Sequence, residues 1–400
     1  MRRSTRGGAT FVIDYSKYLN REIQVVKPSG IRKFFDIANE MEDVISLSVG
    51  EPDFHTPWHI REAGIESLEK GRTRYTPNRG FLQLRQEIAN FLARHYDVAY
   101  QPDQEILVTV GGSEAIDLCV RSLINPGDEV LIPEPSFVCY VPITQMAEGL
   151  PVTIETKPEH GFRLTAEEVE EKITEKTKLL ILPYPNNPTG AVMRREDLEA
   201  IAQVVEKHDL LVLSDEIYAA LTYGRENHVS FSSLPGMKER TILVNGFSKA
   251  HSMTGWRLGY AAGPKEIIGP MTKLHQFAIM SAPTTSQYAA IEALKNGDED
   301  IAYMREQYDM RRRLIVDGLN KMGLKCFEPE GAFYVFPSVK STGLTSQEFC
   351  EKLLYGKHVA VVPGDAFGAC GEGFVRISYS YSVGHITEAL ERIQAFLEEL

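Results

Sequence analysis

Five short apolar runs, EILVTV, DEVLIP, KLLILPY, LLVLSDE and TILVNG, recur between residues 105 and 246, each closed by a polar or glycine-containing turn. None alternates apolar with polar, so each suits a strand buried on both faces rather than one with a wet side. Between and beside them lie longer helical patterns: SEAIDLCVRSLI, TAEEVEEKI and REDLEAIAQVVEKH. The last two open on a cap-like Thr165 or an acidic first turn. Strands separated by helices need crossovers, and crossovers give a mostly parallel sheet. The expected fold class is therefore α/β.

After about residue 300 the pattern changes. A long charged helical stretch, IAYMREQYDMRRRLIVDGLNKMG, leads to shorter strand candidates, AFYVFP and FVRISYS, and a closing helix, ITEALERIQAFLEEL. We expect a large domain over residues 58–299 and a smaller α+β domain formed by residues 1–57 together with 300–400. Two adjacent arginines at the start are followed by no apolar segment of signal-peptide length, so no secretory signal is expected, and the first ten or so residues read as a disordered tail.

Composition narrows the function. The 400 residues are 43% hydrophobic and carry a formal net charge of -12, which disfavours a phosphate-backbone binder and argues against nucleic acid as a partner. No apolar run approaches the roughly 20 residues that span a bilayer, so no membrane association is expected. Five cysteines, an odd number with no C-x-x-C pair, fit reduced thiols in a cytoplasmic protein. His55 and His59 have a metal-like spacing but lack further ligands nearby, and no metal site is expected.

In an open parallel sheet, ligands bind beyond the carboxyl ends of the strands. There stand Gly111, Gly112 and Ser113 at a helix start, the turn PNNPTG, then Asp215 and Tyr218, and finally Ser248 and Lys249. Taken singly, each has an ordinary reading: a cap, a turn residue, or a lysine whose stem covers apolar surface. Taken together they suggest more. Backbone N–H groups at a helix start and the rigid fork of Arg257 suit a phosphate, a desolvated lysine suits an aldehyde, and Asp215 suits a protonated ring nitrogen. Pyridoxal 5′-phosphate presents all three.

The segments SLSVGEPDF, YTPNRG, PNNPTG, SDEIY, SKAHSMTGWRLGY and FVRISYS resemble, in order and spacing, the class I aminotransferases of the fold-type I pyridoxal-phosphate superfamily. The likeness runs from about residue 28 onward and is nearest the bacterial aspartate and aromatic subgroup, of the aminotransferase A kind. It implies a mostly parallel seven-stranded sheet in the large domain, beside the smaller α+β domain. By this resemblance Lys249 is the Schiff-base lysine and proton carrier, and Asp215 holds the pyridine nitrogen. Tyr218 and Asn187 donate to the ring oxygen, and Phe137 stacks on the ring. Gly112, Ser113, Ser248 and Arg257 hold the phosphate, with Tyr75 reaching across a homodimer interface. Arg376 grips the substrate carboxylate beside Gly50, and Ile31 lines the side-chain pocket. A cis Asn187–Pro188 bond is implied as well.

The implied reaction is ping-pong transfer of an amino group from an L-amino acid to a 2-oxo acid such as 2-oxoglutarate. In some aspartate-preferring relatives a lysine follows the glycine pair where this chain has Ser113, and hydroxyl residues occupy the place of GIRKF. The departure favours aromatic or large apolar substrates. The alternatives are an aspartate aminotransferase and a pyridoxal-phosphate C–S β-lyase, which the cofactor residues do not separate.

Overall fold

The computed structural model describes residues 13–26, 41–224 and 227–400. The expected N-terminal tail and the segment with Gly30 and Ile31 lie outside the described residues, except for the stretch 13–26. In chain order the strands are β1 (Ile45–Ser46), β2 (Ile106–Thr109), β3 (Glu129–Glu134), β4 (Leu150–Glu155), β5 (Thr177–Leu182), β6 (Leu211–Asp215) and β7 (Thr241–Gly246). They continue with β8 (Gly259–Ala262), β9 (Tyr334–Val335), β10 (Val359–Ala360), β11 (Val362–Pro363) and β12 (Val375–Ser378).

A seven-stranded sheet runs β2-β8-β7-β6-β5-β3-β4. All its pairings are parallel except those of β8, which is antiparallel to both β2 and β7. The five apolar runs are β2, β3, β5, β6 and β7, as expected. Successive side chains serve opposite cores: Ile242 and Val244 of β7 pack with Leu213 and Ile116 on one face, whereas Leu243 packs with Val108 and Phe247 on the other. Two-sided burial is why no alternation was visible.

Two strands of this sheet, β4 and β8, were not anticipated. β4 is an edge strand with mostly half-exposed or exposed side chains and a proline, which dilutes its apolar signal. β8 is four residues, GYAA, three of them small, hidden inside a segment whose polar side chains dominate the reading. Its glycine has a packing reason: a Cβ on Gly259 would lie 2.6 Å from the Gly111 carbonyl carbon, so only glycine lets β8 approach the loop after β2.

Helices form where their caps predict. Thr165 accepts from the Glu168 N–H while the Glu168 carboxylate accepts from the Thr165 N–H, a complete capping box before helix Ala166–Glu170. The charged stretch after residue 297 is one helix, Asp298–Lys321, with three acids in its first turn and Lys321 in its last, matching the helix dipole.

The shorter strands build two further sheets. β1 pairs in parallel with β10, and β11-β12-β9 form an antiparallel sheet. Ile45, Leu47, Phe333, Phe349, Val359, Ile377 and Ile393 share one core, which also takes in Tyr218 and Leu221 from beyond the end of β6. That contact sets β12 and its arginine beside the carboxyl edge of the seven-stranded sheet.

Candidate active site

At that edge lies a cavity of about 600 Å³. The loop after β2 contributes Gly112 and Ser113, at the start of helix Gly112–Leu123. Gly111 precedes them with φ +80°, and a Cβ there would stand 2.8 Å from Arg257 Nη2. The guanidinium therefore rests on a glycine backbone beside a helix N-terminus, and two elements distant in sequence form one cationic corner. Arg257 itself holds φ +51° and donates to the Thr254 carbonyl at 3.1 Å. Ser248 and Thr254 complete this wall.

Asp215 ends β6 and is buried. Its Oδ2 accepts from the Tyr140 hydroxyl at 2.8 Å, and its Oδ1 accepts from the Ile217 N–H at 3.2 Å. Among the described residues no cation pairs with it. Burial raises its pKa to about 6, against the pull of those two donors and with added repulsion from Glu216.

Lys249 follows β7 and lines the cavity, where Nζ donates to the Gly50 carbonyl at 2.6 Å. Desolvation lowers its pKa to about 8; attraction from Glu51 opposes this, and repulsion from Arg376 and Arg257 adds to it.

Arg376 on β12 is buried, with Nη1 donating to Asn187 Oδ1 at 2.9 Å and Nη2 to the Ser48 carbonyl at 2.6 Å. Its Nε finds no partner among the described residues. The guanidinium lies 4.6 Å from the Tyr334 ring centroid and 4.9 Å from that of Phe367, two cation–π contacts that add to its hold. Asn187–Pro188 is cis, as expected; Glu134–Pro135 and Tyr184–Pro185 are cis as well, and were not anticipated. The Tyr218 hydroxyl is 2.8 Å from that of Tyr334, and Phe137 lines the cavity beside Tyr140.

The cavity thus gathers Gly50, Gly112, Ser113, Phe137, Asn187, Asp215, Tyr218, Ser248, Lys249, Arg257 and Arg376. Tyr75 does not line it and is 83% exposed in the single chain. Gly50 has a reason beyond those expected: a Cβ would meet the Tyr334 hydroxyl at 2.3 Å. Sequence reasoning missed Tyr140, Tyr334 and the Ser48 carbonyl. Tyr140 had a signal, three residues after Phe137, but Tyr334 read only as part of a buried strand.

His59 is held by Glu292 and Asp300, at 2.8 Å and 2.9 Å. Among the described residues no group of three or more His, Cys, Asp and Glu side chains could hold a metal ion, and no helix is long and apolar enough to cross a membrane.

A mostly parallel sheet carrying a desolvated lysine, a buried acid and a cationic helix start at its carboxyl edge defines a fold-type I transferase. The family model for aminotransferase class I and II matches residues 42–393. A putative aminotransferase, YugH, of Bacillus subtilis is 52% identical over 96% of this chain and 99% of its own length. The aspartate aminotransferase of Pyrococcus abyssi is 47% identical, covering 95% of this chain and 98% of that one. The crystal structure of an aromatic aminotransferase from Pyrococcus horikoshii superposes with a TM-score of 0.88 at 47% identity, covering 92% of this chain and 99% of that one. The chain belongs to the class I and II aminotransferases, within the subgroup that holds aspartate and aromatic enzymes.

Proposed function

We propose that the cavity holds pyridoxal 5′-phosphate and that the chain moves an amino group from an L-amino acid, aromatic or large and apolar, to a 2-oxo acid such as 2-oxoglutarate. The observation that carries this reading is Asp215: a buried carboxylate with two neutral donors and, among the described residues, no cation is a site suited to a protonated ring nitrogen. The remaining donors fit the same molecule. The Gly112 helix start, Ser113, Ser248 and Arg257 suit its phosphate, Phe137 its ring face, and Tyr218 with the Asn187 amide its ring oxygen.

When bound, the cofactor supplies an aldehyde that condenses with amines and a ring that accepts electrons from the substrate Cα. The chain's own residues do the rest. Asp215 keeps the ring nitrogen protonated. Lys249 would tether the cofactor and, once displaced by substrate, would be the free amine that takes the substrate Cα proton and delivers it across the amino nitrogen to the cofactor's aldehyde carbon. A lysine already brought down to about 8 needs little further help to act near neutral pH. Arg376 receives the α-carboxylate on a fork held by Asn187 and the Ser48 carbonyl, with Tyr334 and Phe367 in cation–π contact.

Further parts of the reading rest on the same support. Tyr75, exposed here, would reach the phosphate of a partner subunit in a homodimer. Residues 1–57 with 300–400 would move against 58–299 and exclude water on closing. Five free cysteines support a cytoplasmic location. Ser113, which brings no cation, supports an apolar side-chain pocket over a dicarboxylate one; relatives are named for both aspartate and aromatic substrates.

The test is a half-reaction survey. Holoenzyme mixed with one amino acid and no acceptor should release one equivalent of oxo acid per site and stop until 2-oxoglutarate is added. Continuous ammonia and pyruvate from cystathionine would favour the β-lyase instead.

A further inference from the structure

Directly after Asp215 the chain places a second acid, Glu216, whose side chain is fully buried and does not line the cavity. Its Oε1 accepts from Ser214 Oγ at 2.8 Å, Ser230 Oγ at 2.9 Å and the Phe231 N–H at 3.3 Å. Its Oε2 lies 2.9 Å from His228 Nε2. Its backbone N–H donates to the Val244 carbonyl of β7 at 2.8 Å, so the peptide joining the two acids is fixed to the strand that leads to Lys249. Burying a carboxylate costs several kcal/mol unless it is fully partnered, and this one has four partners. A hydrophobic residue would fill the space at less cost, so packing alone does not account for it.

We propose that Glu216, held by His228, is a positioning residue for Asp215: its buried negative charge strengthens the hold of Asp215 on the protonated ring nitrogen of the cofactor. The inference rests on the reading of the cavity given above. Three observations support it. A negative charge one residue from Asp215 stabilises any proton shared between Asp215 and a ligand, and does so in a medium with little water to screen it. Glu216 is among the groups that raise Asp215. The His228 side chain is only 7% exposed, and the Tyr96 ring stands edge-on to it at 5.5 Å and 90°, so the imidazole is fixed in the plane that serves Glu216.

His228 borders a second cavity of about 310 Å³, where Arg94, His95, Asp298 and Arg305 also stand. Asp298 there is engaged by Arg94 and His95, leaving His228 to Glu216. The imidazole thus connects the acid beside Asp215 to a wall other than the substrate cavity.

The test uses holoenzyme loaded with pyridoxal phosphate labelled with 15N in the ring. Three variants are compared with wild type: Glu216→Gln, which keeps shape but removes charge; His228→Gln, which keeps a donor toward Glu216; and His228→Leu, which removes it. The 15N chemical shift reports ring protonation directly, and steady-state kinetics separate kcat from KM. The expected result is a shift toward the unprotonated position in Glu216→Gln with kcat lower by about tenfold and KM unchanged. His228→Leu should fall between that variant and wild type, and His228→Gln should match wild type. If Glu216→Gln does not fold, the order of the two His228 variants carries the test. A wild-type 15N shift in both Glu216→Gln and His228→Leu would overturn the proposal, as would a loss of thermal stability with kcat and ring protonation unmoved. A wild-type protein that binds no pyridoxal phosphate would overturn the reading of the cavity, and this inference with it.

Discussion

The Tyr140 hydroxyl donates to Asp215 Oδ2 across 2.8 Å, and this bond is the strongest restraint on a buried acid that meets no cation among the described residues. A tyrosine orients the carboxylate without neutralising it, because a phenol gives a hydrogen bond but keeps its proton. Burial, then the repulsion of Asp215, drives the Tyr140 phenol well above its ordinary range, so it remains a donor at any working pH. The acid is aimed and left charged, ready for a cationic ligand atom.

That readiness costs the empty protein stability. With the Asp215 pKa at about 6 in the fold against 3.8 for the free group, the folded state prefers the protonated acid. The stability this contributes is present below about pH 4 and lost as pH rises through about 6, which amounts to roughly 3 kcal/mol at neutrality. Asp215→Asn apoprotein should therefore unfold at a higher temperature than wild-type apoprotein at pH 7.5 and match it near pH 4. The same variant should bind pyridoxal phosphate more weakly. Thermal scans across that pH range check the first claim, and absorbance titrations the second.

Lys249 sets a second pH dependence, of opposite use. Only the free amine captures an aldehyde, and its fraction falls tenfold for each pH unit below about 8. The rate at which apoprotein takes up pyridoxal phosphate should rise steeply between pH 6 and 8 and level off above about 9. Stopped-flow absorbance measures it; a rate flat over this range would contradict the desolvated lysine.

Arg376→Lys keeps the charge but loses the fork that contacts the Tyr334 and Phe367 rings. A hydrogen bond between charged groups is worth about 1.5–3 kcal/mol, so kcat/KM should fall by about one to two orders of magnitude. The loss should be the same for every substrate with a free α-carboxylate. A defect confined to one side chain would place Arg376 at the other end of the substrate.

Substrate preference is decided by the ratio of kcat/KM for phenylalanine or tyrosine to that for aspartate, with 2-oxoglutarate as acceptor. Ser113 offers no cation to a distal carboxylate, and a buried unpaired charge is expensive. The ratio should exceed one. A value well below one would return the enzyme to the aspartate group.

Much of this was legible in the chain, for identifiable reasons. β2, β3, β5, β6 and β7 are strands buried on both faces, which write themselves as unbroken apolar runs. β4 at the edge and β8 with its small residues carry no such mark. The cavity residues could be named because several, such as Asp215, stand at strand ends and the others match the motifs of a known family. Tyr140, Tyr334 and Glu216 could not, because each acts through another side chain: on Asp215, on Arg376 with Tyr218, and on Asp215 again. Their partners lie 75 and 116 positions away in the chain, or on the adjoining residue facing elsewhere, and no local pattern reports that.

The central claim is that Lys249 carries the cofactor. Borohydride reduction of the holoenzyme followed by peptide mass spectrometry tests it in one step. The account predicts a pyridoxyl group on the peptide containing Lys249 and on no other, with the mark absent from Lys249→Ala. A pyridoxyl group on a different lysine, or none on a holoenzyme that still turns over, would contradict it.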